Sequence, residues 1–389
     1  MHPWLLAALL VLASLFAYLT ERPAGAVEHN FAGSTQLDYN LVPSEPGANA
    51  NAGTNGTFDG FTVETALKVA VDVSDHVSAN VKACYGCHGL ELDMAYFDVR
   101  VFDELNFRAG RFSPSFGAVN LRHDPANHML SDEPLPYDMG RMLRKSDWNN
   151  GVLPAPFPDN GVEIDGTHWF GKAAQLEYAT YAIMGFKSDA SNPVDLDFSE
   201  SHLPYYVDNN GRPTTGGRVA LTMVAGRDVD ATMGASGMYG TYDSQNKLTY
   251  AIVGTDVSLR VRRTSIRLEY LSRRTEMSTS DPAELKYPVS PGAGCFSTKE
   301  GAFAEIEQPV TRDLDVLVRV DGMARFGNVL ATSTLSSRSS VVRETSGLAY
   351  ALDRNFRLKA SMELWEFSDP DATGRRLELS LHFGGVGSF

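Results

Sequence analysis

Cys84-Tyr85-Gly86-Cys87-His88 carries the strongest chemical signal in the chain. Two thiols three positions apart, followed at once by an imidazole, have the spacing that attaches a c-type haem. The thiols add to the haem vinyl groups and His88 ligates the iron. A sixth ligand would come from elsewhere; His123 and His128, then Met129 and Met139, lie in a long stretch downstream. Three other readings of the same residues stay open. Cys84 and Cys87 can close a small disulfide that stiffens a hairpin tip. They can hold an adventitious metal with His88, although a closed zinc site needs a fourth ligand. Or they stay as free thiols. One copy of the motif gives one redox centre and no chain of haems. The third cysteine, Cys295, sits in "SPGAGCFST" and reads as a lone thiol.

Other chemistry is missing from the sequence. It has no G-x-S-x-G, no Walker-type loop and no zincin H-E-x-x-H. We therefore expect no enzyme. A net charge of −14 argues against a nucleic-acid partner.

The elements that position the motif are strands. Phe61, Val63, Leu67, Val69, Val71 and Val73 share one parity, against Glu64, Lys68 and Asp72. Val77, Ala79, Val81 and Ala83 oppose Ser78, Asn80 and Lys82. Leu314, Val316, Val318 and Val320 oppose Asp315, Arg319 and Asp321, and Phe356 to Leu364 oppose Arg357, Lys359 and Glu363. Period two puts such sets on opposite faces of a strand. The same holds for Leu377, Leu379, Leu381 and Phe383, in phase with Phe389. An aromatic residue in that position resembles the C-terminal signature of outer-membrane proteins.

Connections decide between a barrel and a sandwich. Short turns (near 75, 103, 171, 227, 263, 312 and 354) alternate strictly with a second, mostly longer class (43–58, 85–89, 113–160, 187–215, 242–247, 276–298, 327–341 and 367–373). Short turns on one rim and long loops on the other predict a transmembrane antiparallel β-barrel of about 16 strands, with periplasmic turns and extracellular loops. Residues 4–19 form an apolar run followed by Ala24-Gly25-Ala26, so 1–26 reads as a secretory signal and 27–389 as the barrel. A periplasmic β-sandwich that binds a ligand is the competing all-β fold.

"FRAGRFSPSFG", 107–117, resembles the strand-end signature of phosphate-selective-type porins. The resemblance implies an outer-membrane channel in which the segment after the fifth strand, 113–160, folds inward as the constriction. It also implies passive diffusion of small hydrophilic solutes, with outer-membrane lipid as surroundings and a homotrimer as the assembly.

Lipid-facing charge is costly, so the charged parity must line the lumen. That assigns Lys68, Lys82, Arg100, Arg108, Arg267, Arg319 and Arg357 to the wall, with Arg111 near the same rim. The inward loop offers Asp124, Asp132, Glu133, Asp138 and Asp147. Wall cations facing loop acids predict an anion-preferring filter; a salt-bridged wall without selectivity is the plain alternative. Tyr96, Tyr178, Tyr250, Tyr270 and Trp365 are expected in the interfacial girdles. Two functions follow: a diffusion channel, or a barrel that presents a haem to a redox partner.

Overall fold

A computed structural model describes residues 28–43, 60–86, 89–122, 124–138, 143–144, 148, 150–187, 208–276, 296–327, 338–371 and 373–389. The strands are β1 (Glu28–Leu41), β2 (Gly60–Ser74), β3 (Val77–Gly86), β4 (Gly89–Phe102), β5 (Leu105–Phe112), β6 (Asp159–Phe170), β7 (Ala174–Ile183) and β8 (Thr214–Ala225). The second half holds β9 (Val229–Thr241), β10 (Thr249–Val261), β11 (Thr264–Glu276), β12 (Phe296–Pro309), β13 (Leu314–Phe326), β14 (Arg338–Ala351), β15 (Phe356–Phe367) and β16 (Leu377–Ser388). Each pairs antiparallel with its sequence neighbours, and β1 pairs with β16, so the sheet closes into a 16-strand barrel.

Closure follows from the alternation. Phe61 and Val63 stand exposed on the outer face while Ala66, of the other parity, is buried. The same outward set continues around the wall through Phe97, Val253, Val318, Met362 and Phe383. A sandwich would hide these side chains between two layers; here they face out from a closed sheet, and the β-sandwich alternative is excluded. The seam is tied at the end of the chain: Gly33 and Phe389 exchange both backbone hydrogen bonds at 3.0 Å. The Phe389 ring lies over Gly33, where a Cβ would meet it.

Seven connections of two to four residues lie on one rim, in agreement with the turns read from the sequence. The other rim carries the long connections with one exception. β3 ends at Gly86 and β4 begins at the paired Gly89, so Cys87-His88 is the entire link. A register shift between Lys82 and Ala83 precedes it; such a bulge re-aims the side chains around it.

The segment between β5 and β6 turns into the barrel. Its described residues include three short 3-10 turns, Asn120–Arg122, Pro125–Asn127 and Leu135–Tyr137. The second packs on β1 and β16, the third on β12 and β13. The stretch 137–148, in which Met139, Met142 and Leu143 are spaced as on one face of a short helix, lies largely outside the described residues.

The interior differs from the expected wet, charged lumen. Phe116, Leu135, Tyr137, Val152, Leu153 and Phe157 of the loop form one buried cluster with Tyr181, Ile183, Phe186, Tyr250, Ile252, Leu271, Phe303, Met323, Val341, Trp365 and Phe367 of the wall. Each such side chain contributes about 1.5–3 kcal/mol when withdrawn from water, so the loop is held as part of a core. Two inward glycines make room for it. A Cβ on Gly301 would press Pro136 Cβ at 3.0 Å and Val152 Cγ2 at 3.1 Å, and one on Gly347 would collide with Leu130. Tyr250 and Trp365, expected in the girdles, are buried inside the barrel, and Tyr96 lies beneath the Arg108 guanidinium. Tyr270 does stand on the outer face.

Candidate functional site: the constricted lumen

The loop is pinned by charge on one side of the barrel. Arg343 on β14 is fully buried. It gives Nε and Nη2 to the two carboxylate oxygens of Asp321 at 3.0 and 2.6 Å, Nη1 to Glu363 at 3.2 Å, and Nη2 to the Glu133 carbonyl at 2.5 Å. Two parallel N–H···O bonds to one carboxylate are the geometry that suits a buried guanidinium. Trp365 stacks against the same group, its ring centroid 4.9 Å from the Arg343 Cζ. Arg319 on β13 reaches the Asp132 carbonyl at 3.1 Å and Asp321 at 3.2 Å. Lys359 gives its ammonium to the Leu130 carbonyl at 3.1 Å, and Lys299 to the Asn150 carbonyl at 3.0 Å. The Leu135 N–H donates to Asp321 at 2.9 Å.

A histidine closes the ring. The His382 Nδ1 lies 2.9 Å from Asp38 on β1, and its Nε2 lies 3.0 Å from Asp132 on the loop. A carboxylate accepts and does not donate, so an imidazole between two of them carries a proton on each nitrogen. Burial would raise the Asp132 carboxyl, but the adjacent His382 charge overrides it and, with hydrogen bonds from His382 and the charge of Arg343, holds that group well below the usual carboxylate range.

A polar cavity remains on the other side of the lumen. This cavity of ≈180 Å³ separates the loop residues Ala118, Arg122, Asn127, His128 and Pro134 from the wall residues Glu177, Arg218, Asp256, Ser258, Arg267, Glu269 and Glu305. Its wall cations are answered by wall acids. Arg218 forks onto Asp256, with Nη2 to Oδ1 at 2.7 Å. Arg267 pairs with Glu305 at 3.0 Å and with Glu307. Glu269 accepts from the Ala118 N–H at 3.0 Å and from the Tyr137 hydroxyl at 2.5 Å, tying the loop's edge to β11. Burial raises the Tyr137 hydroxyl well above its ordinary value, and the charge of Glu269 adds to the shift. That phenol therefore stays a donor. Arg122 is exposed on the loop, and no carboxylate pairs with it among the described residues.

The residues singled out from sequence divide between these places. Arg319 joins the pinned side, Arg267 the open side. Arg108 faces inward but pairs with Asp98 at 2.8 Å and Glu163 at 3.0 Å on adjacent strands. Arg100 is exposed beside the β4–β5 turn, on the short-turn rim, where its N–H donates to the His76 carbonyl. Arg111 is buried and gives Nε to the Leu92 carbonyl at 3.0 Å. Among the described residues the loop acid Asp132 pairs with β14 and β16, and Arg108, Arg218 and Arg267 pair with wall carboxylates. Asp124 accepts from the Ser34 hydroxyl at 2.7 Å and caps its own turn through the Ala126 N–H. Asp138 is buried, its carbonyl taking the Gly151 N–H. Lys82 pairs with Asp93 at 2.8 Å. Lys68 and Arg357 share the inward parity of their strands, opposite Lys82 and Val386 respectively.

Cys84 is on that inward parity too, and its Sγ donates to Asp93 at 3.5 Å. Cys87, His88, His123, Met139, Asp147 and Cys295 lie outside the described residues. His128 lines the cavity on the side of β7 to β12, with Nε2 3.8 Å from Glu133, whereas Cys84 stands on β3. Arg343, Arg218 and His382 were missed as site residues. Parity would have found all three, but Arg343 is masked by the adjacent Glu344.

No protein-family model matches the chain, and no curated protein matches it. Solved structures do. The chain is similar to OmpF of Salmonella typhi, solved in complex with daunomycin, at 8% identity and TM-score 0.58, over 93% of this chain and 97% of that one. It is similar to an anion-selective porin from Comamonas acidovorans, at 10% identity and TM-score 0.54, over 93% and 100%. It is also similar to the trimer form of OmpT, an outer membrane protein of Vibrio cholerae, at 9% identity and TM-score 0.53, over 94% and 100%. At these identities the likeness establishes the shared barrel.

Proposed function

We propose that this chain is an outer-membrane channel for passive diffusion of small hydrophilic solutes, constricted by the inward loop. One observation carries the reading. Ion pairs and hydrogen bonds pin the loop to β12 to β16 and β1, its apolar side chains pack on β7, β10 and β11 as well, and a polar cavity remains between loop residues 118 to 134 and β7 to β12. The apolar outer face suits hydrocarbon, and the porin-like relatives in fold support the same setting and a homotrimer. Selectivity is weak in this reading, since wall cations are matched by wall acids; what anion preference there is rests on Arg122. Purified protein added to a planar lipid bilayer should give discrete conductance steps and recover in the outer-membrane fraction. A barrel that shifts on a heat-modified gel yet conducts nothing would overturn the channel.

The second reading is a barrel that holds one c-type haem for a redox partner. It rests on the C-x-x-C-H spacing and on Cys84 facing inward beside Lys82 and Asp93. The four-residue span crosses a two-residue hairpin link and not a helix, and His128 faces another part of the wall. A pyridine haemochrome spectrum of protein made in a host that matures c-type cytochromes decides it: a covalent haem band supports it, and its absence leaves the plain channel.

A further inference from the structure

Asp132 of the loop, Glu363 of β15 and His382 of β16 bring one ligand atom each to within 4.8 Å of one another, all three residues buried. The His382 Nε2 is 3.0 Å from Asp132 Oδ2 and 3.4 Å from Glu363 Oε2. Bonds of about 2.0–2.1 Å to a tetrahedral ion set ligand–ligand edges of roughly 3.3–3.4 Å, so these atoms sit near the corners that such an ion would need.

The surroundings resemble a built support. Asp38 holds the far nitrogen of His382 at 2.9 Å, as a carboxylate behind a ligating imidazole does. Trp365 Nε1 and the Ser380 hydroxyl fix Glu363 Oε2 at 3.1 and 2.8 Å. Arg343 occupies the other oxygen, Oε1, at 3.2 Å, leaving Oε2 turned toward the imidazole. Two buried carboxylate oxygens beside the triad, Asp132 Oδ1 and Asp38 Oδ1, accept no hydrogen bond among the described residues. Buried carboxylate oxygens without a donor are costly. Four carboxylates (Asp38, Asp132, Asp321 and Glu363) meet three cations, Arg319, Arg343 and the His382 imidazolium, so the cluster carries one more negative than positive charge.

We propose that Asp132, Glu363 and His382 form a divalent transition-metal site that staples the constriction loop to the wall. One imidazole nitrogen with two carboxylates suits Zn²⁺, whereas Ca²⁺ and Mg²⁺ take oxygen-only shells. The ion replaces the proton on Nε2, which leaves to solvent, while Nδ1–H stays on Asp38. A fourth ligand is water. Because the site is closed by the loop, it loads as the barrel folds.

The test is refolding from denaturant into detergent with Zn²⁺ present, followed by chelator, desalting and elemental analysis. We expect one zinc per chain in the wild type and in Cys84→Ser/Cys87→Ser, and less than a tenth of that in His382→Gln and Asp132→Asn. Wild type that retains no zinc overturns the proposal, as does retention in the two ligand variants. Should those variants fail to shift on a heat-modified gel, Co²⁺-refolded wild type decides. A spectrum of nitrogen and oxygen ligation supports the site. A thiolate charge-transfer band moves the metal to the cysteines and refutes it, and the colourless protein refutes it as well.

Discussion

Compare strands β12 to β16 with strands β7 to β11. Both carry charged side chains on the inward parity, among apolar and small ones. On the first stretch Arg319, Arg343, Lys359 and His382 reach across to loop backbone carbonyls and to Asp132. On the second, Arg218 and Arg267 are matched by acids of the wall itself and border the gap. The cations named on the first stretch anchor the loop; Arg218 and Arg267 on the second border the cavity. An inward arginine in a barrel is therefore no evidence of a filter until its partner is known, and burial separates the cases: Arg343 is closed off from solvent, while the Arg267 side chain is 25% exposed.

The largest effect that would break this distinction is at Arg343. Removing one partner from a buried ion pair costs about 3–5 kcal/mol, because the remaining charges stay buried. Arg343→Ala should lower the temperature of the folded-to-unfolded gel transition markedly and raise single-channel conductance as the loop loosens. Arg267→Ala removes a partly solvated pair worth about 1 kcal/mol or less, so its transition should barely move. Equal losses in the two variants would mean that the halves do not differ.

A steric version of the same comparison follows. Gly347→Val puts a branched side chain where Leu130 packs; overpacking of this kind costs about 1–3 kcal/mol. We expect higher conductance and easier unfolding. Gly237→Val is the control on β9, where the nearest atom to a new Cβ, the Ile252 carbonyl oxygen, is 3.9 Å away. A control that opens the channel as much as Gly347→Val would count against loop displacement as the cause.

Proton dependence gives a smaller, sharper test. The folded value of the Asp132 carboxyl lies below its unfolded value, so its stabilisation is complete above the ordinary carboxylate value of about 4 and is lost as pH falls through the folded value. The part of the loop's closure that depends on Asp132 should thus be lost only in acid, below about pH 4. An acid rise in conductance that is unchanged in Asp132→Asn would show that this carboxyl does not carry it.

How much of this was legible beforehand depends on the range of the interaction. Strand existence and turn length are local, and the period of two in residues such as Leu377 to Phe383 states them directly. The inward loop's docking is not local: it depends on Gly301, Gly347 and Arg343, which lie more than a hundred residues from the loop they receive. Residue type misled where parity would have served. Trp365 and Tyr250 look like girdle residues, yet Trp365 shares its parity with Lys359 and Glu363, and Tyr250 with Asp256; both pairs of neighbours face the lumen. Spacing likewise leaves the partners of the inward arginines unstated. Arg100 and Arg108 lie on neighbouring strands, but Arg100 stands at the short-turn end while Arg108 pairs with Asp98 and Glu163.

The smallest expected effect is at Arg122. It faces the gap from the loop, whereas the wall cations opposite are already paired. An exposed charge acts over a screening length of about 8–10 Å at moderate salt; if the proposed channel conducts past this cavity, Arg122→Ala should reduce the anion-to-cation permeability ratio by about twofold at low salt and by less at 1 M, where that length is about 3 Å. Stability should not change. Because Arg218→Ala frees Asp256 at the same gap, it should move the ratio in the same direction and add a loss of stability that Arg122→Ala lacks. If reversal potentials respond to Arg218→Ala alone, the selectivity belongs to the wall's paired charges, and the loop serves only to narrow the passage.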